Sequence, residues 1–330
     1  MPTPQDSIPT SEVRIANAAT YWPVAPTDVV LAVPLAARLL LGATPVGRVL
    51  QAAAYGAYAA SAIQDWAARR GVRKIDFQHE FGADVRHLTP MSPEVRAEEI
   101  RLLTQRLNDG FTARRIPRRE LAVEVDRHLT RYIAGITGQR VQTSTEVRGF
   151  SMAGLFFPFA LGACDFVSGD VTLFRDAGIL EPHVIAHEFS HRKGYWKELE
   201  AQALAYLSLT SSEEPVLVQS ALCERLHRHW RVLAGDDRTA FRDGVERSDL
   251  RPELRAQLLD LDRGAASGVT ARQVSGLMRR LYDERMRLTG QNGLSDYDLG
   301  FTNFLYTFEL SSTARQKPPS AGAVHARTGT

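Results

Sequence analysis

One stretch, residues 181–207 (EPHVIAHEFSHRKGYWKELEAQALAYL), limits what this chain can fold into more than any other. At its centre His187, Glu188 and His191 form an HExxH pattern. Positions i and i+4 share one face of a helix about a turn apart, so both imidazoles can reach one zinc ion. Glu188 then projects beside the metal, where its carboxylate can take a proton from water. Local sequence agrees with a helix. Pro182 suits a first turn, Val184, Ile185 and Phe189 supply an apolar side, and Gly194 supplies a stop three residues after His191. His183, His187 and His191 make a row at steps of four, but eight residues of helix span about 12 Å, too far for one ion. His183 is therefore expected at the helix start or behind the ligands. His79-Glu80-Phe81 imitates the motif, yet Ala83 stands where the second histidine belongs, which predicts a surface loop.

Catalytic zinc sites keep three protein ligands and leave a fourth position open. Glu198 and Glu200 come next, on an expected helix over 196–209, two residues apart and so pointing to nearly opposite sides. Glu198 is the expected third ligand. Gln202 lies one turn later on the same side, where its amide oxygen can orient a ligating imidazole. Glu200 has Ala203 and Leu204 on its own side, which suits a carboxylate at the core edge or on the surface.

Glu198 and Gln202 resemble the E-x-x-x-D/N arrangement of gluzincin peptidases, with glutamine in place of the usual aspartate or asparagine. The run HEFSHRKGYWKELEAQALAYL is also similar to a bacterial domain-of-unknown-function family regarded as membrane-anchored zinc peptidases, in which an HExxHxxG segment precedes an ExEAN-like helix. The similarity extends to SMAGLFFPFALGACDF (151–166) and, more faintly, to residues 297–306. The chain departs from zinc peptidase helices at Arg192 and Lys193, where those helices usually keep uncharged or apolar residues. The resemblance implies a zincin-like fold, a peptide or protein substrate and a membrane segment.

Composition sets wide bounds. A chain of 330 residues, 44% hydrophobic and 24% charged, can bury a real core. A formal charge of +2 points to neither a nucleic-acid partner nor an acid-seeking surface. Two cysteines, Cys164 and Cys223, are too few for a disulfide scaffold and are expected to be free, buried thiols. Residues 1–27, with Pro2, Pro4, Pro9, Pro23 and Pro26, are expected to form a flexible tail without a cleaved signal peptide.

Residues 28–67 are expected to form an apolar helical hairpin, its arms 29–47 and 49–63 joined around Pro45-Val46-Gly47. Either a pair of membrane helices or a packed pair of water-exposed helices suits it. Arg38 interrupts the first arm and alanine dominates the second, so neither is a clean run of about 20 apolar residues. With the membrane segment that the resemblance implies, Arg69, Arg70, Arg73 and Lys74 would leave the catalytic domain on the cytoplasmic side, beside membrane lipid.

The charge-rich stretch 68–93 reads as a linker. Helical periodicity then covers 93–109 and 118–136, and strand-like runs occupy 141–147, 153–159 and 170–174. Further helices are expected from a start at Ser212–Pro215 up to Gly235, over 254–261 and over 274–288. His227 and His229 are expected at the surface of the first of these. The acidic and aromatic stretch 296–301 holds Tyr297, a candidate oxyanion stabiliser. Residues 312–330 are expected to be a disordered tail.

The expected fold is α+β and mainly helical, a zincin-like metallopeptidase domain over 94–311 with a small sheet. The expected function is a zinc-dependent peptidase in which His187, His191 and Glu198 hold the metal and Glu188 activates water. The alternative is a membrane-associated zinc-binding scaffold that does not turn over.

Overall fold

Caps and turns written into the sequence account for most element boundaries. A computed structural model describes residues 11–17, 19–22, 37, 40–41, 44–149, 160–165, 168–235, 237–263, 276, 279–280, 282–284 and 286–316. In chain order these form β1 (Ser11–Arg14), α1 (Pro45–Arg70), α2 (Phe77–Phe81), α3 (Pro93–Asp109), α4 (Arg118–Thr137), β2 (Gln139–Gln142) and β3 (Val147–Gly149). Then come β4 (Gly162–Cys164), β5 (Val171–Leu173), α5 (Glu181–Arg192), α6 (Glu198–Thr210), α7 (Pro215–Ala234), α8 (Arg238–Arg247) and α9 (Pro252–Arg263). A π-helical turn at Asp296–Gly300 leads into α10 (Phe301–Gln316). The described chain is mostly helical with two small sheets, in keeping with an α+β class.

The caps are local. Ser92 accepts a hydrogen bond from the Val95 N–H with Pro93 in the first turn of α3. Asp237 accepts from the N–H groups of Thr239 and Ala240 at the start of α8. α4 ends at Gly138, whose φ of 66° lies in the left-handed region that favours glycine. The apolar faces of these helices meet in one core. Leu129 of α4, Ile185 and Phe189 of α5, Leu204 of α6 and Leu226 of α7 are fully buried in it. Each such side chain contributes about 1.5–3 kcal/mol relative to exposure. α5 lies in the middle, packed against α4, α6, α7 and β4.

In one sheet β3 pairs parallel with β5, and β5 pairs antiparallel with β4, matching Ala163 to Thr172. In the other, β1 pairs parallel with β2, matching Val13 to Val141.

Several expectations change here. The alternating run 141–147 is not one strand. β2 and β3 belong to different sheets, because the loop between them turns its backbone carbonyls toward the buried Arg192. Residues 11–14, expected in a flexible tail, form β1, and Ile15 packs with Val72 and Val141. The stretch 68–93 is packed: Phe77 and Phe81 lie edge-on to each other and to Phe304 of α10, with centroids 5.2–6.0 Å apart. His79 and Glu80 therefore sit on a short helix rather than a loop. Its dense charge concealed two aromatic rings spaced four apart. α10 continues to Gln316, past the expected start of the tail.

The second arm of the expected hairpin is one helix, α1, with Val46, Val49, Leu50, Tyr55 and Ile63 exposed. No helix among the described residues is long and apolar enough to cross a membrane. Most of the first arm lies outside the described residues, as do the expected strand 153–159 and residues 317–330; of the helix expected over 274–288, residues 276, 279–280, 282–284 and 286–288 are described and are helical.

Candidate metal centre

α5 places His187 and His191 on one face, with ring centroids 4.7 Å apart. After Gly194 (φ 97°) the chain turns, and α6 begins with Glu198 aimed back at them. The His187 Nε2 and His191 Nε2 atoms are 3.1 Å apart, and Glu198 Oε2 lies 3.0 and 3.2 Å from them. All three side chains are buried. An ion held tetrahedrally by bonds of about 2.0–2.1 Å separates its ligands by about 3.3 Å, close to this triangle. The tautomer agrees as well. His191 Nδ1 donates to the Tyr195 carbonyl at 2.7 Å, which leaves Nε2 with a lone pair facing its two neighbours. Three buried electron-pair donors so arranged fit a cation, and these residues could hold a metal ion.

The charges of these groups bear strongly on one another. Burial alone would lower the His191 pKa, but the charge and hydrogen bond of Glu198 outweigh it and lift it to about 9. Burial would raise Glu198, but the two imidazoles hold it well below the usual carboxylate range. Glu188 is buried beside them, and burial pushes its pKa up, while the two histidines and the backbone of Cys164 oppose the shift. His187, Glu188, His191 and Glu198, all expected at one site from the sequence, thus lie together. Glu200 is not in the cluster; it accepts from Lys197 at 2.9 Å.

Gln202 has another partner. Its amide nitrogen donates to Glu224 at 2.6 Å, and among the described residues the Nδ1 of His187 has no hydrogen-bond partner. The expected support of a ligating imidazole by Gln202 is therefore corrected. The glutamine faces α7, whose Glu224 carboxylate is the stronger acceptor. The positioning falls to residues the sequence did not reveal. Tyr282 Oη donates to Glu198 Oε1 at 2.5 Å, and Gln291 Oε1 accepts from the Glu198 backbone N–H at 2.7 Å, which satisfies an open donor at the start of α6. The Trp196 ring stacks on His191, 5.9 Å away and 6° from parallel, with the Arg69 guanidinium 4.9 Å from its centroid. Tyr297 lies where a site residue should be, its ring centroid 6.0 Å from His187 and its hydroxyl 3.4 Å from that of Tyr282. Burial keeps both phenols protonated.

Arg192 and Lys193, the departures from the peptidase pattern, are completely buried. Arg192 donates to the carbonyls of Gly169, Ser144 and Glu146 at 2.5–2.8 Å. Lys193 Nζ lies 2.7 Å from Asp126 and donates to Val141 O at 3.0 Å. The two cations fasten the end of the histidine-bearing helix to β2, to the loop before β3 and to α4. His183, at the same helix's start, is buried, lines the cavity beside the triad, and is lowered by burial to a pKa of about 4. His229, expected at the surface, is fully buried with Nδ1 3.0 Å from Arg96. Both cysteines are free and buried, as expected.

The triad and Glu188 open into that cavity, which has a volume of about 470 Å³. β4 borders it through Gly162, Ala163 and Cys164, and α7 through Glu224, His227, Arg228 and Arg231. Among the described residues β4 is an edge strand of its sheet.

A mostly helical chain built around such a centre matches a known family model over residues 138–306, from the end of α4 into α10. The chain belongs to that family, described as protein of unknown function (DUF3810). The matched region holds His187, Glu188, His191, Glu198, Tyr282 and Tyr297. No curated protein and no solved structure matches the chain.

Proposed function

We propose that the chain is a zinc-dependent peptidase of zincin-like fold. The observation that carries this reading is the triangle of His187, His191 and Glu198 donor atoms, 3.0–3.2 Å apart, with the Glu188 carboxylate buried beside it in an open cavity. Two imidazoles and one carboxylate are a donor set that suits catalytic zinc. When bound, zinc supplies Lewis acidity, polarising a carbonyl and bringing the pKa of water toward neutrality.

The chain's own residues supply the rest. Glu188 is not one of the three converging donors, so its carboxylate is free to take a proton and return it to the leaving amine. Its raised pKa favours such a role. Tyr297, kept neutral by burial, offers a phenolic O–H to a developing oxyanion. The β4 edge along the cavity suits an extended peptide, whose backbone can pair with a free strand.

The test is hydrolysis of mixed peptide libraries by the zinc-loaded protein. Glu188→Gln should keep its zinc and lose about a hundredfold or more in turnover. A wild type without turnover would favour the second reading, a non-catalytic zinc scaffold. The exposed apolar side chains of α1 favour that reading, because they suit attachment to a lipid surface.

A further inference from the structure

The wall of the cavity that α7 forms has a charge pattern of its own. α7 presents Glu224, His227, Arg228 and Arg231 at steps of three and four, and all four line the cavity. Arg228 is neutralised: its Nε donates to Glu224 at 2.6 Å and its Nη1 to Asp298 at 2.9 Å. Arg231, one turn further, has no such carboxylate. Among the described residues its guanidinium makes no ion pair or hydrogen bond and lies over the Phe241 ring, 5.9 Å from the centroid. A ring face steadies a guanidinium while leaving its N–H edge free. Arg175 and Arg279 line the same cavity. The neighbouring imidazoles add no positive charge of their own: burial lowers His183 and His227 to pKa values of about 4, so both are neutral near pH 7. On the α7 wall the Glu224 carboxylate is thus committed to Arg228, and the Arg231 guanidinium is the cation there that meets no carboxylate among the described residues.

We infer that this wall is a carboxylate subsite, in which Arg231 receives an acidic group of the peptide substrate. The inference rests on the peptidase reading and gives it a substrate class. The carboxylate can come from an acidic side chain or from the free C-terminus of the peptide. A guanidinium pairs with it through two parallel N–H···O bonds.

Fluorescence anisotropy with the zinc-loaded Glu188→Gln full chain tests this by binding alone. Three labelled hexapeptides of alanine and leucine serve as probes. One is amidated and uncharged, one is amidated with a single glutamate, and one is uncharged except for a free C-terminal carboxylate. At least one acidic peptide should bind about tenfold or more tighter than the uncharged one, and which of them does so identifies the source. Arg231→Met should reduce that preference to less than about twofold, and Arg231→Glu should turn it toward a lysine peptide. Equal binding of all three peptides, or a preference that survives Arg231→Met, overturns the subsite. Failure of the peptidase reading would show as absent hydrolysis by wild type, a separate measurement.

Discussion

Tyr282 donates its phenolic hydrogen to Glu198 Oε1, leaving Oε2 alone to face His187 and His191. The carboxylate is thereby divided between a tyrosine and the two imidazoles. The tyrosine lies 84 residues beyond Glu198 in sequence, and Gln291, which holds the same residue's backbone, lies 93 beyond. Glu198 is aimed by a distant segment.

Tyr282→Phe removes that hydrogen bond with little change of shape. Zinc affinity, read by chelator competition, should fall about tenfold, the size expected when the partner of a ligand is lost. An unchanged affinity would show that the helix start alone orients Glu198.

Metal content tests the triad. Elemental analysis of wild type should find about one zinc per chain, and His187→Ala should retain close to none. Glu198→Gln should weaken binding by about tenfold or much more, while Glu200→Gln, whose carboxylate meets Lys197, should leave it nearly unchanged. The reverse order would mean that α6 is turned by about half a rotation.

Lys193 is anchored by Asp126, Val141 and Thr143, with no part of its side chain exposed. Lys193→Met leaves Asp126 without its cation and a buried carbonyl without its donor. Urea denaturation should show a loss of about 3 kcal/mol, and pairing the change with Asp126→Asn should restore part of it. A loss within about 0.5 kcal/mol would assign the lysine to the surface class of ion pairs.

His229 should make the fold sensitive to acid. Burial, with Arg225 and Arg96 nearby, lowers its pKa to about 2. The folded value lies below the ordinary histidine value of about 6.5, so the unfolded chain binds the proton first. Stability is then fully present above about pH 6.5 and is lost as pH falls from there toward 2. At pH 5 the loss from this one group is about 2 kcal/mol. His229→Gln should shrink the difference between stability at pH 7.5 and pH 5 by that order. An identical pH dependence in the two proteins would contradict a neutral buried imidazole.

The sequence by itself determined the elements whose causes are local. Ser92-Pro93 starts α3, Gly138 stops α4, and the four-residue step of His187 and His191 brings two imidazoles onto one helix face. Those relations are set by backbone geometry within a turn or two, so residue order is enough. That only one of Glu198 and Glu200 could face the two imidazoles was legible for the same reason, since two residues two apart on a helix cannot face one point; the choice of Glu198 leaned on Gln202, whose amide turns to Glu224 instead.

Only the tertiary structure decided where the charged and aromatic side chains went. Arg192 and Lys193 look like surface residues that disturb a metal-binding helix, yet they are buried because carbonyls about 50 residues upstream and Asp126 accept their protons. Gln202 turned to Glu224 and supports no imidazole of the triad, while Tyr282, which residue order did not reveal, orients the Glu198 carboxylate. Phe77 and Phe81 entered the core from a stretch whose charge had marked it as a linker. A charged or polar side chain is stable inside only if a partner meets it there. That partner is brought by the packing of distant elements, and local periodicity carries no record of it.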